Sequence, residues 1–253
     1  MKDYVKMNLH YKLQGEGQPL IFLHGVFGSL DNSNMLAKHF VSDYQTIQVD
    51  LRNHGQSPWS NEMNLNVMAE DIAELCHYLQ LDQIILIGHS MGGKVALRLT
   101  QIISEKIKKI VALDIAPVKY PTTDNAQVLE SLSTCLAENL TDKKQIIDLM
   151  QSQGLSEGTI QFLLKSFKNG HWLFNANVIV SQYSHLRDWQ PISPWTKPTL
   201  FIRGSNSNYV MQQYYEAILR QFPNAVIETI EGAGHNVHAE KTQQVLQILK
   251  QWL

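Results

Sequence analysis

The run Gln83-Ile84-Ile85-Leu86-Ile87-Gly88-His89-Ser90-Met91-Gly92-Gly93-Lys94-Val95-Ala96-Leu97 reads in three pieces: an apolar stretch, a tight turn and the start of a helix. Residues 84–87 are consecutive apolar side chains, the pattern of a strand buried on both faces. Around Ser90 the turn is Gly88-His89-Ser90-Met91-Gly92, and glycines on both sides suit a backbone bent sharply enough to bring strand and helix close together. A Gly-x-Ser-x-Gly pentapeptide alone arises by chance about once in ten chains of this length. Its place between a strand and a helix start makes it specific. Such a turn presents the Ser90 hydroxyl as a nucleophile, and the helix that begins after it aims free N–H groups at the same point, favouring negative charge there.

Outward from this stretch the same rhythm recurs. Short apolar runs at 20–23, 46–49 and 110–113, and later at 199–202 and 226–230, read as buried parallel strands. Between them, residues 67–79 place Val67, Ile72, Leu75 and Leu79 near one face, 95–102 is compact and apolar, and 237–252 closes with a helical pattern. Strand alternating with helix predicts an α/β fold with a mostly parallel central sheet and helices on both faces. The alternation stops between 118 and 197. That stretch carries helix starts at Thr141-Asp142-Lys143-Lys144 and Ser156-Glu157 but no comparable strand run, which predicts a helical cap over the sheet. The expected organisation is a core of residues 1–117 and 198–253 with a cap of 118–197; a separate helical domain is the alternative.

Composition narrows the function classes. A chain of 253 residues with 44% hydrophobic and 17% charged side chains can bury one substantial core. The formal net charge of −2 provides no field to recruit nucleic acid or an anionic membrane, so a small-molecule partner is expected. Cys76 and Cys135 stand in unrelated contexts and read as reduced, structural thiols. Charged and polar residues interrupt the first eight positions, and no stretch approaches the roughly 20 apolar residues that span a bilayer, so no leader or membrane anchor and a cytoplasmic location are expected. With neither a glycine-rich phosphate loop nor a metal-ligand cluster, no cofactor and no metal are expected. The oligomeric state is left open.

A serine nucleophile needs a base, most naturally histidine. His235 follows the last strand run in the glycine-rich loop Glu231-Gly232-Ala233-Gly234-His235, just before the closing helix. His238 is its nearest competitor.

With these residues in place, His24-Gly25, Asp50-x-Arg52-x-x-Gly55-x-Ser57, Gly88-x-Ser90-x-Gly92 and Gly232-x-Gly234-His235 resemble the alpha/beta-hydrolase family over nearly the whole chain outside 118–197. More narrowly, the stretches from His24 to Asn32 and from Gly234 to Lys241 are similar to small bacterial YbfF-type esterases. The resemblance implies an alpha/beta-hydrolase fold with the helical cap inserted after the sixth strand, and small acyl esters or acyl-CoA thioesters as substrates.

The acid departs from the commonest family pattern, an aspartate after the penultimate strand. Here that strand ends Phe201-Ile202-Arg203-Gly204-Ser205-Asn206-Ser207-Asn208, a turn without a carboxylate. A neutral residue stabilises an imidazolium poorly; replacing the triad carboxylate of a serine protease costs about 10⁴ in rate. Asp114, in Leu113-Asp114-Ile115, offers a carboxylate at the end of the strand after the nucleophile, and strands only about 4.8 Å apart allow an acid one strand inward to meet the histidine. The YbfF-type arrangement resembles this. Asp50 and Glu231 are the other acids to weigh.

Backbone amides of Met91 and Val26, or of Phe27 in place of Val26, are the candidate oxyanion donors. His24 is read as organising its loop. In the cap, Leu129, Leu132, Trp172, Phe174 and Trp189 are apolar candidates for an acyl pocket, and Phe27, Trp172 and Trp189 are the expected substrate contacts. Lys143, Lys144, Lys165 and Lys168 could meet CoA phosphates, although solvated helix faces explain them equally well. The expected chemistry is acylation of Ser90 with His235 as base and Asp114 orienting it. Carbon–carbon bond hydrolysis, cofactor-free perhydrolysis on the same residues, and a non-catalytic receptor are the rival readings.

Overall fold

The computed structural model describes residues 8–120 and 125–253. The N-terminal segment read for a leader therefore lies almost wholly outside the described residues. Seven strands form one sheet in the order β1-β3-β2-β4-β5-β8-β9: β1 Tyr11–Gln14, β2 Gln18–Leu23, β3 Tyr44–Val49, β4 Ile84–His89, β5 Ile107–Leu113, β8 Thr199–Gly204 and β9 Ala225–Ile230. Among the described residues of this sheet, β1 pairs with β3 antiparallel and the other pairs are parallel. Five strands, not six, precede the insertion among the described residues.

Helices α1 Asn34–Ala37, α2 Leu65–Tyr78 and α3 Met91–Leu99 lie in the first half, with α8 Tyr215–Gln221, α9 Val237–Glu240 and α10 Thr242–Trp252 in the last part of the chain. The two faces of the sheet carry separate apolar cores. One packs Ile21, Leu86, Ile110 and Phe201 with residues of α2 and α3; the other packs Leu20, Ile85, Val111 and Leu200 with α1 and α10. Alternate residues of each central strand thus serve opposite faces, which is why the strands read as unbroken apolar runs. β9 is the exception. It is an edge strand whose residues are mostly exposed or half-buried, with Val226 41% exposed, rather than the buried strand its sequence suggests.

The segment between β5 and β8 holds α4 Ala126–Ala137, α5 Lys143–Ser152, α6 Glu157–Leu164 and α7 Ala176–Arg187. Both sequence-marked helix starts are true N-caps: the Asp142 carboxylate accepts from the Gln145 amide at 3.0 Å, and the Ser156 hydroxyl accepts from Thr159 at 3.2 Å. A two-residue ribbon, β6 Phe167–Lys168 against β7 His171–Trp172, interrupts the helices. The segment is tied to the sheet half by polar bonds. The Asn175 amide donates to Asn53 O at 2.8 Å, the Ser166 hydroxyl to Phe27 O at 2.8 Å, and the Lys94 ammonium to Arg187 O and Asp188 O at 2.9 and 3.1 Å. The predicted closing helix over 237–252 is two helices, broken at Lys241.

Candidate active site

Ser90 sits on the turn between β4 and α3 at φ 51 and ψ −116, a strained left-handed geometry for a residue with a side chain. The turn is tight enough that a Cβ on Gly92 would run into the carbonyl oxygens of Leu23 and His24. The glycine thus serves close approach of the helix start to β2. Ser90 N–H donates to Leu113 O at 3.0 Å, which fixes the turn to the end of β5.

That end of β5 carries Asp114, fully buried and also at positive φ. Its backbone N–H donates to Ile202 O at 2.8 Å. Three donors converge on its carboxylate: Gly204 N–H on Oδ1 at 3.0 Å, and the Ser207 hydroxyl and His235 Nδ1 on Oδ2, the latter at 2.7 Å. His235 Nε2 then lies 3.0 Å from Ser90 Oγ. Because Oδ2 can only accept from an adjacent Nδ1–H, the neutral imidazole turns its lone pair at Nε2 towards the Ser90 hydroxyl. The arrangement can take a proton from a hydroxyl and keep the resulting imidazolium against a buried carboxylate.

The loop bearing His235 is held from several sides. Glu240 Oε2 accepts from the Gly234 amide at 2.7 Å, its Oε1 accepts from the Asn236 amide at 3.2 Å, and the Tyr209 ring stacks on His235 at 3.9 Å between centroids. Ser207, Tyr209 and Glu240 were not singled out from the sequence. The last has a local signal, a carboxylate four residues after Asn236 in a helix's first turn, as in a capping arrangement.

The competitors are occupied elsewhere. His238 is buried on α9 with its ring 4.4 Å from that of His89, and burial pushes its pKa down to about 4. Asp50 accepts from Leu30 N, Gln56 N and His10 Nδ1, tying down the turn that follows β3. Glu231 is exposed. His24 donates from Nδ1 to Gly25 O at 2.7 Å and accepts Leu51 N–H at Nε2, so it braces its loop as a neutral ring whose pKa burial lowers.

A small, partly open cleft lies at Ser90, with Val26 and Met91 in its wall. Phe27 N–H is already committed to His54 Nε2 at 3.2 Å, which leaves the Val26 amide as the candidate partner for Met91. His54 is a neutral acceptor there, since burial pushes its pKa to about 3. The remaining wall comes from Tyr120, Tyr183, Leu186 and Arg187 of the inserted segment, with Lys94 of α3, Ile115 and Tyr209 from the sheet half. Phe27, Trp172 and Trp189, the expected substrate contacts, do not line this cleft. Phe27 and Trp172 pack against Phe174, and the Trp189 indole donates to Gln221 Oε1 at 2.8 Å beneath the Arg98 guanidinium. Trp172, Phe174 and Trp189 thus serve the insertion's own core and its seam with the sheet half. Lys143, Lys144, Lys165 and Lys168 are exposed and outside the cleft. Lys94 was read only as part of the helix start; its ammonium is buried over the Tyr120 ring, and burial lowers its pKa to about 7.

Among the described residues no cluster of His, Cys, Asp and Glu could hold a metal, and no helix is long and apolar enough to cross a membrane.

Comparison with known proteins agrees with the fold. Residues 18–134 match the family model described as alpha/beta hydrolase fold. Over 240 residues, 95% of this chain and 94% of the relative, the sequence is 43% identical to Esterase YbfF of Escherichia coli (strain K12). The chain belongs to the alpha/beta-hydrolase family. It is an alpha/beta hydrolase of the esterase/lipase type. It is also 32% identical, over 92% of its length and 80% of the relative, to the sn-1-specific diacylglycerol lipase ABHD11 of Mus musculus. Among solved structures, one titled Marine microorganism esterase superposes with a TM-score of 0.91 at 32% identity, covering 98% of this hydrolase and all of that chain.

Proposed function

We propose that this hydrolase cleaves carboxylic esters through an acyl-serine intermediate on Ser90. The observation that carries the reading is the continuous relay from Ser90 Oγ to His235 Nε2 at 3.0 Å and from His235 Nδ1 to Asp114 Oδ2 at 2.7 Å. His235 takes the hydroxyl proton as Oγ attacks the carbonyl carbon, Asp114 stabilises the imidazolium, and the proton passes to the leaving alcohol or thiol. Water, deprotonated by the same His235, then releases the acid. The Val26 and Met91 amides hold the oxyanion; Met91, as the first residue of α3, has no intrahelical acceptor for its N–H. Residues 118–197 act as a cap whose helix α7 walls the acyl site.

Small acyl esters are the proposed substrates, with acyl-CoA thioesters as the extension. A fluorophosphonate adduct mapped to Ser90, together with rates over nitrophenyl esters and acyl-CoAs of graded chain length, tests both parts. An adduct on another residue, or none on an active preparation, sinks the mechanism; absence of thioester turnover removes only the extension.

A second reading draws on the 33% identity, over 88% of this chain and 73% of the relative, to a protein named Probable alcohol acetyltransferase in Saccharomyces cerevisiae. The same acyl-enzyme passes its acyl group to an alcohol when one reaches the carbonyl before water. Ethyl ester formed from a nitrophenyl ester in added ethanol measures that partition.

A further inference from the structure

His89 precedes Ser90 in the chain and is buried. Its Nε2–H donates to the backbone carbonyl of His235 at 2.9 Å, since a carbonyl oxygen can only accept. Two adjacent residues therefore grip one: Ser90 Oγ meets the His235 ring at 3.0 Å, and His89 meets the His235 main chain.

The grip matters because of where His235 stands. Its loop contains Gly232, at φ 70, and Gly234, and runs between the end of the edge strand β9 and the four-residue helix α9. Glu240 holds the neighbouring amides of Gly234 and Asn236, Tyr209 holds the ring face, and Asp114 holds Nδ1. None of these fixes the His235 backbone relative to the serine turn. Among the described residues, it is His89 that joins that backbone by a hydrogen bond to the segment bearing the nucleophile. On the other side, His89 packs on the buried His238 ring at 4.4 Å, so its imidazole cannot swing away without opening the core.

Resting on the acyl-serine reading above, we propose that His89 is a positioning residue that sets the distance between Ser90 and His235, through its bond to the His235 carbonyl. It does not touch substrate and transfers no proton. A shift of about 1 Å in a reacting pair can cost about a hundredfold in rate. The expected signature is a loss in the chemical step with substrate binding kept.

The test compares His89→Gln with His89→Met, using kcat and KM on a short nitrophenyl ester and the rate of fluorophosphonate labelling at Ser90. Glutamine carries an N–H donor at about the reach of Nε2, whereas methionine fills similar volume without one. Gln is expected to retain kcat within about threefold, and Met to lose about ten- to a hundredfold in both kcat and labelling rate with KM within about twofold. Equal rates for Gln and Met, whether both high or both low, overturn the proposal, because a packing role is indifferent to the donor. Should Met fail to fold, His89→Asn, too short to reach the carbonyl, replaces it with the same expectation. Wild-type protein that turns over ester without labelling Ser90 defeats the mechanism itself; labelled wild type with an equally reactive Met variant defeats only the role of His89.

Discussion

Two turns at neighbouring strand ends face each other across the site and divide one task. The turn after β5 carries Asp114 at positive φ, fully buried, with its carboxylate on His235. The turn after β8, where the commonest pattern of the family has its acid, carries Ser207, whose hydroxyl donates to that same carboxylate. Parallel pairing of Leu113 with Ile202 brings the two turns side by side. What the histidine requires is a carboxylate at one point in space, and either strand end can reach that point. The neutral turn did not lose its part in the site; it became a donor to the acid beside it.

Changes on the two turns should therefore differ in kind. The largest effect is expected for Asp114→Asn: a fall in kcat of about 10⁴ on a nitrophenyl ester, as for the triad carboxylate of a serine protease. A rate near wild type would exclude Asp114. Next, Asp114→Asn combined with Ser207→Asp should recover at least about tenfold over the single variant, since the new carboxylate stands where Ser207 Oγ now meets Oδ2. No recovery in a folded double variant would show the two turns not to be interchangeable. Ser207→Ala alone should lower kcat by about three- to tenfold, because one donor of a buried charge-assisted bond is removed while Gly204 N–H remains. Asn208→Ala, on the same turn but away from the carboxylate, should stay within about twofold.

The remaining prediction sets the pH window for those comparisons. His54 and His238 have folded pKa values of about 3 and about 4, against an ordinary 6.5, because burial disfavours the charged ring. The unfolded chain takes up protons first, so the stability these neutral rings carry is full above about pH 6.5 and is lost as pH falls towards 4 and then 3. Thermal midpoints should be flat from pH 8 to 7 and decline steadily below 6.5. His238→Asn should shallow that decline relative to wild type; an unchanged slope would remove His238 as a source.

Much of this was legible because it is local. The central strands announce themselves as apolar runs, since both faces of the sheet are covered, and Asp142 and Ser156 mark helix starts through their own side chains. Ser90, Asp114 and His235 could be proposed because each ends a strand or follows one, and strand ends cluster in a parallel sheet. The cleft wall was not legible. Trp172 and Trp189 have the composition of an acyl pocket, but their rings are used in packing, while Tyr120 and, on α7, Tyr183 and Arg187 reach the cleft because of where they come to lie over the sheet, which no local pattern gives. Edge position likewise hid the exposure of β9, whose residues read as buried.

The sequence by itself determined the alternation of strand and helix, the serine turn and the order in which nucleophile, acid and base candidates appear, because these depend on side-chain periodicity and short-range backbone demands. Only the tertiary structure decided that the Phe27 amide is spent on His54, that Ser207 serves Asp114, and that His89 holds His235 from 146 residues away. Those are bonds between groups distant in the chain. Their partners are chosen by how the sheet and its loops pack, a choice that no local pattern records.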